Sequence, residues 1–326
     1  SREDRVMRKV TRSASHEIAI ASPSAVRSLS RAIIAMTAIG GLAACSADQN
    51  VTSAVKQHQT LETVSNAPSF VYVSDSTGVD QLFQSIGGVT TRLTFTDAVE
   101  KDPHSAAGHL VFSSSRDGDE EIYMGRNDLS GLKRLTTSAG EDEQPRLSPD
   151  GSHIAFVSFR SGTPRIWVMD STGANQTALQ TGSESYVPEN APAWSPNGSQ
   201  LVYTSTRSGL SQVFVISAAG GTPVQLTNEM NGAFNPVWSA DGSQIYFVSV
   251  MGAPSLRAVT VATGETSDWV YDGTGIGQAS CASSGCIAVE GAYGNNGSIV
   301  SIDQDQSITT LVATPANETS PTLLVH

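Results

Sequence analysis

The stretch Gln-Pro-Arg-Leu-Ser-Pro-Asp-Gly at residues 144–151 decides the fold, because copies of it recur at a regular spacing. The copies read Ala-Pro-Ala-Trp-Ser-Pro-Asn-Gly at 191–198 and Asn-Pro-Val-Trp-Ser-Ala-Asp-Gly at 235–242, and a weaker one begins at Pro103. Their prolines are 42, 47 and 44 residues apart. Self-similarity at this period is typical of the blades of a β-propeller or the units of a solenoid.

Each copy predicts four short strands in a fixed order. In the unit that starts at Pro145, the first strand ends at Asp150-Gly151, an Asx-Gly pair that predicts a type I′ hairpin turn with positive φ at both residues. The apolar runs 154–157 and 166–168 follow, rich in β-branched and aromatic residues and too short for helices. A fourth short strand ends in Leu-Thr in the neighbouring units. No segment after residue 68 has a useful helical period, which excludes helical solenoids.

The two ends of the repeat array predict a closed ring. Residues 69–73 resemble a second strand without a first strand before it, and residues 319–325 resemble a first strand with nothing after it. One blade divided between the two ends would remove the open sheet edge. Residues 69–326 supply about 43 residues for each of six blades. The sequence therefore predicts an all-β, six-bladed β-propeller whose first blade is completed by the C-terminal strand.

The repeat resembles that of the TolB-type β-propellers. The resemblance rests on Pro-x-Trp-Ser-Pro-Asp-Gly, an apolar run, Ser-x-Arg-x-Gly, Ile-Tyr/Trp-Val and Leu-Thr, and it covers 69–326. It is specific in the units at Pro103, Pro145, Pro192 and Pro236. TolB carries an α/β domain before its propeller, whereas only a short polar stretch precedes the repeats here. We therefore expect this chain to be a lone propeller of that class. The resemblance also implies that partner peptides bind on the face formed by the loops.

The N-terminal region predicts export and lipid attachment. An apolar core at 31–45 follows Arg27 and ends in Leu-Ala-Ala-Cys, which resembles a bacterial lipobox. We expect residues 1–44 to be a signal peptide with Met7 as the start, Cys45 to carry the lipid, and residues 45–68 to be a flexible tether. The alternative is an ordinary secretory signal that happens to end near a cysteine. Ser46 after the cysteine favours the outer membrane, on its periplasmic side or at the cell surface.

The net charge narrows the classes of molecule that this chain could bind, and the other two cysteines predict a disulfide. The formal net charge is −12, and it becomes more negative when residues 1–44 are removed. Such a charge disfavours nucleic acid and permits basic partners or divalent cations, although solubility alone also explains it. Cys281 and Cys286 flank a turn beyond the membrane, where disulfides persist, so a hairpin disulfide is expected.

The loops that enter the first strands and those between second and third strands are predicted to share one face of the ring. This face carries three arginines and nine acidic residues, with no cofactor expected. The predicted partner-binding residues are Arg116, Arg160, Arg207, Asp97, Glu100, Asp102, Glu141, Asp142, Glu143, Glu184, Glu189 and Glu229. Two interpretations are open: salt bridges between blades with solvated loops, or a surface that binds an envelope protein or peptide.

Catalytic and metal motifs are missing from the sequence. There is no Gly-x-Ser-x-Gly and no His-Glu-x-x-His, and Asp117–Glu121 lacks the spacing of a calcium loop. His104, just past Pro103, is the one histidine expected near the channel. We therefore expect a non-catalytic, lipid-anchored protein of the bacterial envelope that binds a protein or peptide partner. The alternative is a glycan lyase or hydrolase that uses a channel-mouth histidine and carboxylates.

Overall fold

The computed structural model describes residues 67–182, 186–251, 253–270, 275–282, 285–291 and 297–325. These residues form six four-stranded antiparallel sheets and no helix. The predicted six-bladed, all-β propeller is thereby confirmed. Within the described residues, no helix exists that could cross a membrane. The predicted signal peptide, Cys45 and most of the tether lie outside the described residues.

We number the blades in chain order, and within each blade the strands follow one another from the centre outwards. Blade 1 consists of β24 (Glu318–Leu323), β1 (Phe70–Ser74), β2 (Gln81–Ile86) and β3 (Val89–Arg92). Blade 2 consists of β4 (Glu100–Ala106), β5 (His109–Ser114), β6 (Glu121–Arg126) and β7 (Lys133–Arg134). Blade 3 consists of β8 (Asp142–Leu147), β9 (His153–Ser158), β10 (Arg165–Asp170) and β11 (Thr177–Ala178).

The remaining three blades repeat the same order. Blade 4 consists of β12 (Glu189–Trp194), β13 (Gln200–Ser205), β14 (Gln212–Ser217) and β15 (Val224–Gln225). Blade 5 consists of β16 (Ala233–Trp238), β17 (Gln244–Met251), β18 (Ala253–Thr260) and β19 (Thr266–Val270). Blade 6 consists of β20 (Ile276–Ala282), β21 (Gly285–Glu290), β22 (Ser298–Ile302) and β23 (Ile308–Val312).

The ring closes as the two ends of the repeat array predict. Strand β24 pairs antiparallel with β1, with Phe70 opposite Leu323 and Ser74 opposite Glu318. Strand β24 also contacts β20 on one side and β4 on the other, so the six innermost strands form a continuous inner wall. Because every blade then has a neighbour on both sides, its two apolar faces are both covered.

The core consists of apolar clusters between neighbouring blades. Among the described residues, each of the six blade pairs has its own cluster of buried side chains. Successive residues of a strand point to opposite faces of its sheet. Tyr72 of β1 therefore packs against blade 6, whereas its neighbours Val71 and Val73 pack against blade 2.

Two local features of the repeat explain its polar residues. The Leu-Thr phrase follows the fourth strand, and its threonine hydroxyl accepts a hydrogen bond from a backbone N–H of the third strand, that of Leu82, Ile122 or Val213. The Ser-Pro-Asp-Gly turn differs from its prediction, because Gly151 has a φ of 73° but Asp150 is not in the positive-φ region. The expected type I′ turn is therefore wrong here.

The turn takes a longer form that does not depend on its proline, because blade 5 has Ala240 in that place and the N–H of Gly242 still donates to the carbonyl of Ser239 over 3.0 Å. The N–H of Gly151 donates to the carbonyl of Ser148 over 2.8 Å, which places Pro149 at the second position, where its fixed negative φ excludes type I′. The Asp150 carboxylate accepts from the Ser148 hydroxyl at 2.6 Å and from the Ser152 N–H at 3.0 Å. In blade 2, where Ala106 pairs with His109 across a two-residue turn, Ala107 and Gly108 both have positive φ.

Candidate functional site: the central channel and the loop face

The innermost strands carry a bulge at the residue that precedes the repeat proline. Five non-glycine residues at this position have φ between 47° and 52°: Asp102, Gln144, Ala191, Asn235 and Ser320. The register of each strand shifts at the same point. A bulge leaves an unpaired residue, and the proline that follows has no N–H to leave unsatisfied. The repeat thus places one irregular residue in the innermost strand of each of blades 1 to 5.

The tryptophans of the repeat connect one blade to the next. Nε1 of Trp194 donates to the carbonyl oxygen of Arg146 over 2.8 Å, and Nε1 of Trp238 donates to the carbonyl oxygen of Ala193 over 3.2 Å. Trp238 is buried in the cluster between blades 4 and 5. Trp194 is half-buried and also contributes to the channel wall. Their spacing along the chain follows from the period of the repeat.

The channel widens into a cavity of about 310 Å³ in the half next to the turns that join first and second strands. Its wall includes His104, Arg146, Trp194 and Trp238, together with four of the repeat prolines: Pro103, Pro192, Pro236 and Pro321. Nδ1 of His104 accepts the backbone N–H of Leu147 over 3.2 Å. His104 therefore lies in the channel, where the sequence predicted it.

Acidic side chains cluster in the other half of the channel, near the loops. Burial and the neighbouring carboxylates of Asp102 and Glu120 raise the pKa of Glu143 to about 7. Burial also raises the pKa of Asp102, and the Arg146 guanidinium opposes that rise. Nζ of Lys101 lies 2.6 Å from Oε1 of Glu120. This cluster gives the loop-side entrance a negative charge that weakens as the pH falls through 7.

The three predicted arginines form ion pairs with the predicted carboxylates. Arg116 pairs with Glu100 (Nη2–Oε1 2.8 Å), and Arg160 pairs with Asp142 (Nη2–Oδ2 2.7 Å). Arg207 approaches Glu189 at 3.4 Å, and each arginine side chain is 20% exposed above a fully buried carboxylate. The arginines are therefore used in ion pairs, as the first interpretation of the sequence expected. That interpretation placed the pairs between blades, whereas each observed pair lies within one blade.

Aromatic rings complete these pairs. The Arg116 guanidinium lies 4.7 Å from the ring centre of Tyr123, and that of Arg160 lies 4.3 Å from that of Trp167. The Arg207 guanidinium lies 5.0 Å from the ring centre of Phe214. Guanidinium groups are attracted to aromatic faces at such distances. The unit is therefore an arginine held between a buried carboxylate and an aromatic ring of the third strand.

Blade 5 contains a variant that the sequence reasoning missed. Its carboxylate, Glu229, pairs with Arg257 of the third strand. In the strand register, Arg257 lies opposite Phe247 just as Tyr123 lies opposite Phe112 in blade 2. An arginine at the aromatic position of a third strand was the available signal. A second missed arginine is Arg165 of blade 3, whose Nε lies 3.0 Å from Oε2 of Glu189 in blade 4.

The remaining predicted residues lie on the surface or outside the described part. Asp97 and Glu141 are exposed on the loops that enter blades 2 and 3, and Glu184 lies outside the described residues. The same face, which we call the loop face, also exposes apolar side chains that the sequence reasoning did not single out. They are Phe95, Tyr186, Leu210, Met230 and Phe234, which are 76%, 72%, 54%, 79% and 37% exposed.

The structure contains a disulfide between Cys281 and Cys286, which face each other across the β20–β21 hairpin. Elsewhere in the chain, the part that the structure describes contains no cluster of three or more His, Cys, Asp or Glu residues arranged to hold a metal ion.

Comparison with known proteins agrees with the repeat and with the ring. The TolB β-propeller domain matches residues 103–190 and 187–324, which is more than half of the chain. A TolB homologue of Chlorobium luteolum is 40% identical over 70 residues, or 22% of this chain and 16% of its own length. One of Chlorobaculum tepidum is 39% identical over 122 residues, or 34% of this chain and 28% of its own length.

The chain thus matches less than a third of the length of these curated relatives. The crystal structure of TolB from Acinetobacter baumannii superposes with a TM-score of 0.67 and covers 80% of this chain and 68% of its own. At 18% identity this likeness shows the fold alone. The match of the family domain across blades 2 to 6, together with the six-bladed ring, shows that this chain belongs to the TolB β-propeller family.

Proposed function

We propose that this protein is a lipid-anchored component of the bacterial envelope that binds a protein or peptide partner on its loop face and performs no catalysis. The observation that carries the proposal is the composition of that face. Its predicted arginines are used in ion pairs inside the blades, so acidic and apolar side chains remain exposed to a partner.

The apolar part of the loop face is concentrated where blades 4 and 5 meet. The ring of Phe234 lies so close to Gly232 that a Cβ added to residue 232 would be 2.9 Å from the ring atom Cζ. The backbone of Ala233 donates to the carbonyl of Ser211 over 2.8 Å, which brings the exposed Leu210 to the same place. Met230 precedes this segment and is 79% exposed. Exposed clusters of large apolar side chains commonly mark sites of protein interaction.

The charge of the loop face specifies the kind of partner. Asp97 and Glu141 are exposed there, and the acidic cluster around Glu143 lies at the channel entrance. We therefore expect a partner segment with apolar anchors and Lys or Arg residues. Electrostatic complementarity of this type raises the association rate and selects among partners. Arg116, Arg160 and Arg207 support the loops that carry these contacts, rather than supplying the first contact themselves.

The envelope location rests on the sequence and on the family. Residues 31–45 combine an apolar core with a lipobox that ends at Cys45. Two lipid or membrane signals are usually needed for stable anchoring, and a diacylglycerol thioether supplies two acyl chains at one residue. We place the protein at the outer membrane. In this proposal Cys45→Ala releases the protein from the membrane fraction, whereas Cys281→Ala does not.

Crosslinking and pull-down from native membranes test the binding proposal. The variant Leu210→Ser/Met230→Ser removes two exposed apolar side chains from the loop face. Val224→Ser, 59% exposed on the outermost strand of blade 4, is the matched control. We expect the double variant to lose most partner capture and the control to keep it. Equal capture by all three proteins would refute the loop face as the binding surface.

A further inference from the structure

Arg146 differs from the other arginines of the inner strands and loops. It lies on the wall of the channel cavity, and its Nη1 donates to the carbonyl oxygen of Pro145 over 2.8 Å. Among the described residues, Arg146 forms no ion pair, whereas Arg116, Arg160, Arg207 and Arg257 each pair with a carboxylate. Burial lowers its pKa, and the carboxylate of Asp102 opposes that change only in part. Among the described residues, the guanidinium on this wall makes one hydrogen bond, to Pro145, although it has five N–H donors.

His104 supplies a second donor in the same cavity. Its Nδ1 accepts the N–H of Leu147, so the ring proton is on Nε2. Burial and the neighbouring Arg146 guanidinium lower its pKa to about 3, so the ring stays neutral at physiological pH. Ser280, also on the wall, accepts the N–H of Leu323 through its hydroxyl oxygen and keeps its own proton to donate. The cavity therefore presents one positive charge and neutral donors.

The rest of the wall is apolar. Pro192, Pro236, Trp194 and Trp238 line the cavity on the side of blades 4 and 5. A volume of about 310 Å³ lies at the lower end of the range for small-molecule sites. Such a space holds a small acid or the last residue of a peptide, with its apolar part against the prolines and the indole rings.

We propose that this cavity binds a carboxylate, with Arg146 as the charged clamp and His104 as the neutral donor. A carboxylate matches the planar fork of a guanidinium, and charge-assisted hydrogen bonds of this kind are among the strongest in proteins. The negative charge of Asp102 near Arg146 favours a singly charged ligand over a phosphate dianion. The ligand class is a small organic acid with an apolar body, or the C-terminal carboxylate of a peptide.

The site is independent of the loop-face proposal, because the cavity lies in the opposite half of the channel. Isothermal titration calorimetry on the full mature chain tests it with three probes. They are sodium benzoate, a tetrapeptide ending in a free leucine carboxylate, and the same tetrapeptide with an amidated C-terminus. We expect at least one carboxylate probe to bind saturably and the amidated peptide not to bind. Benzoate alone identifies a small-acid site, and the free peptide identifies a C-terminus site.

Two variants assign the binding to the cavity. Arg146→Gln should weaken binding by about tenfold or more, because it removes a charge-assisted interaction. Arg126→Gln, which changes an exposed arginine at the end of β6, should leave the affinity unchanged. Circular dichroism checks that both variants are folded. Absence of binding to both carboxylate probes, equal binding of the amidated peptide, or wild-type affinity of Arg146→Gln would overturn the proposal. Partner capture on the loop face would be unaffected by any of these results.

Discussion

Ser76 of blade 1 occupies the position that Arg116 has in blade 2, two residues after the serine that ends the second strand, and no arginine among the described residues pairs with Glu318 of the closing strand. Glu318 is 1% exposed. Its Oε1 accepts from the hydroxyls of Thr314 at 2.6 Å and Ser74 at 3.3 Å, while Oε2 has no hydrogen-bond partner. The strand that closes the ring thus contains a buried carboxylate that no cation pairs with in the part of the chain that the structure describes.

Replacing Glu318 by Gln should stabilise the protein, and more so at high pH. Burial raises the pKa of Glu318 in the folded state, so the folded protein holds this proton more tightly than the unfolded chain. The group therefore costs stability as the pH rises above the unfolded pKa of about 4.3. We expect Glu318→Gln to raise the melting temperature at pH 8 and to have a smaller effect at pH 4, as measured by thermal denaturation.

The matched control for that experiment is Glu100→Gln in blade 2. This change leaves Arg116 above a neutral amide and should destabilise the protein by about 1–3 kcal/mol at pH 8. A destabilisation of similar size in Glu318→Gln would contradict the assignment of Glu318 as an unpaired carboxylate.

Introducing an arginine at Ser76 should supply the missing partner. Tyr72 and Phe83 of blade 1 stack with ring centres 5.8 Å apart, as Phe112 and Tyr123 do at 6.0 Å beneath Arg116. Ser76→Arg is expected to stabilise the fold by about 1 kcal/mol, read from chemical denaturation. The gain should vanish in the double variant Ser76→Arg/Glu318→Gln. A gain that persists there would show that the arginine acts without the carboxylate.

The indole hydrogen bonds between blades should be measurable by comparing two tryptophans. Trp194→Phe keeps an aromatic ring but leaves the carbonyl of Arg146 without its donor, which should cost about 1 kcal/mol. Trp167 is the control, because its buried Nε1 has no acceptor among the described residues and phenylalanine keeps an aromatic ring beside Arg160, so Trp167→Phe should cost less than Trp194→Phe. Equal losses in urea denaturation would mean that ring size, and not the hydrogen bond, determines the effect.

The disulfide of blade 6 should make a modest contribution. It closes a loop between residues only five apart in sequence, for which the loss of chain entropy predicts a stabilisation of about 2 kcal/mol. The double variant Cys281→Ser/Cys286→Ser should melt at the temperature of the reduced wild-type protein. Its own melting temperature should not respond to dithiothreitol, and a response would indicate that another thiol is involved.

The repeat was enough to predict the number of blades and the closure by β24, because both follow from period and alternation along the chain. The positions of Arg116, Arg160 and Arg207 and of their carboxylates on one face were also predictable. Their pairing was not, since residues 16 to 18 apart meet only after the first and second strands pair. The turn at Asp150 was predicted with the wrong type, because the Asp150 carboxylate accepts hydrogen bonds from Ser148 and Ser152 and holds the chain in a longer loop.

By itself, the sequence determined the strands, their order and the ring, since each repeat can bury its apolar faces only against a neighbouring copy. Tertiary structure alone decided which charges remain available. Arg160 and Arg146 both belong to the repeat unit at Pro145, yet the first reaches a buried carboxylate within its blade while the second turns into the channel. The bulge at Gln144, two residues before Arg146, exists only where β8 pairs with β9, so its effect on the inner strand depends on the folded sheet.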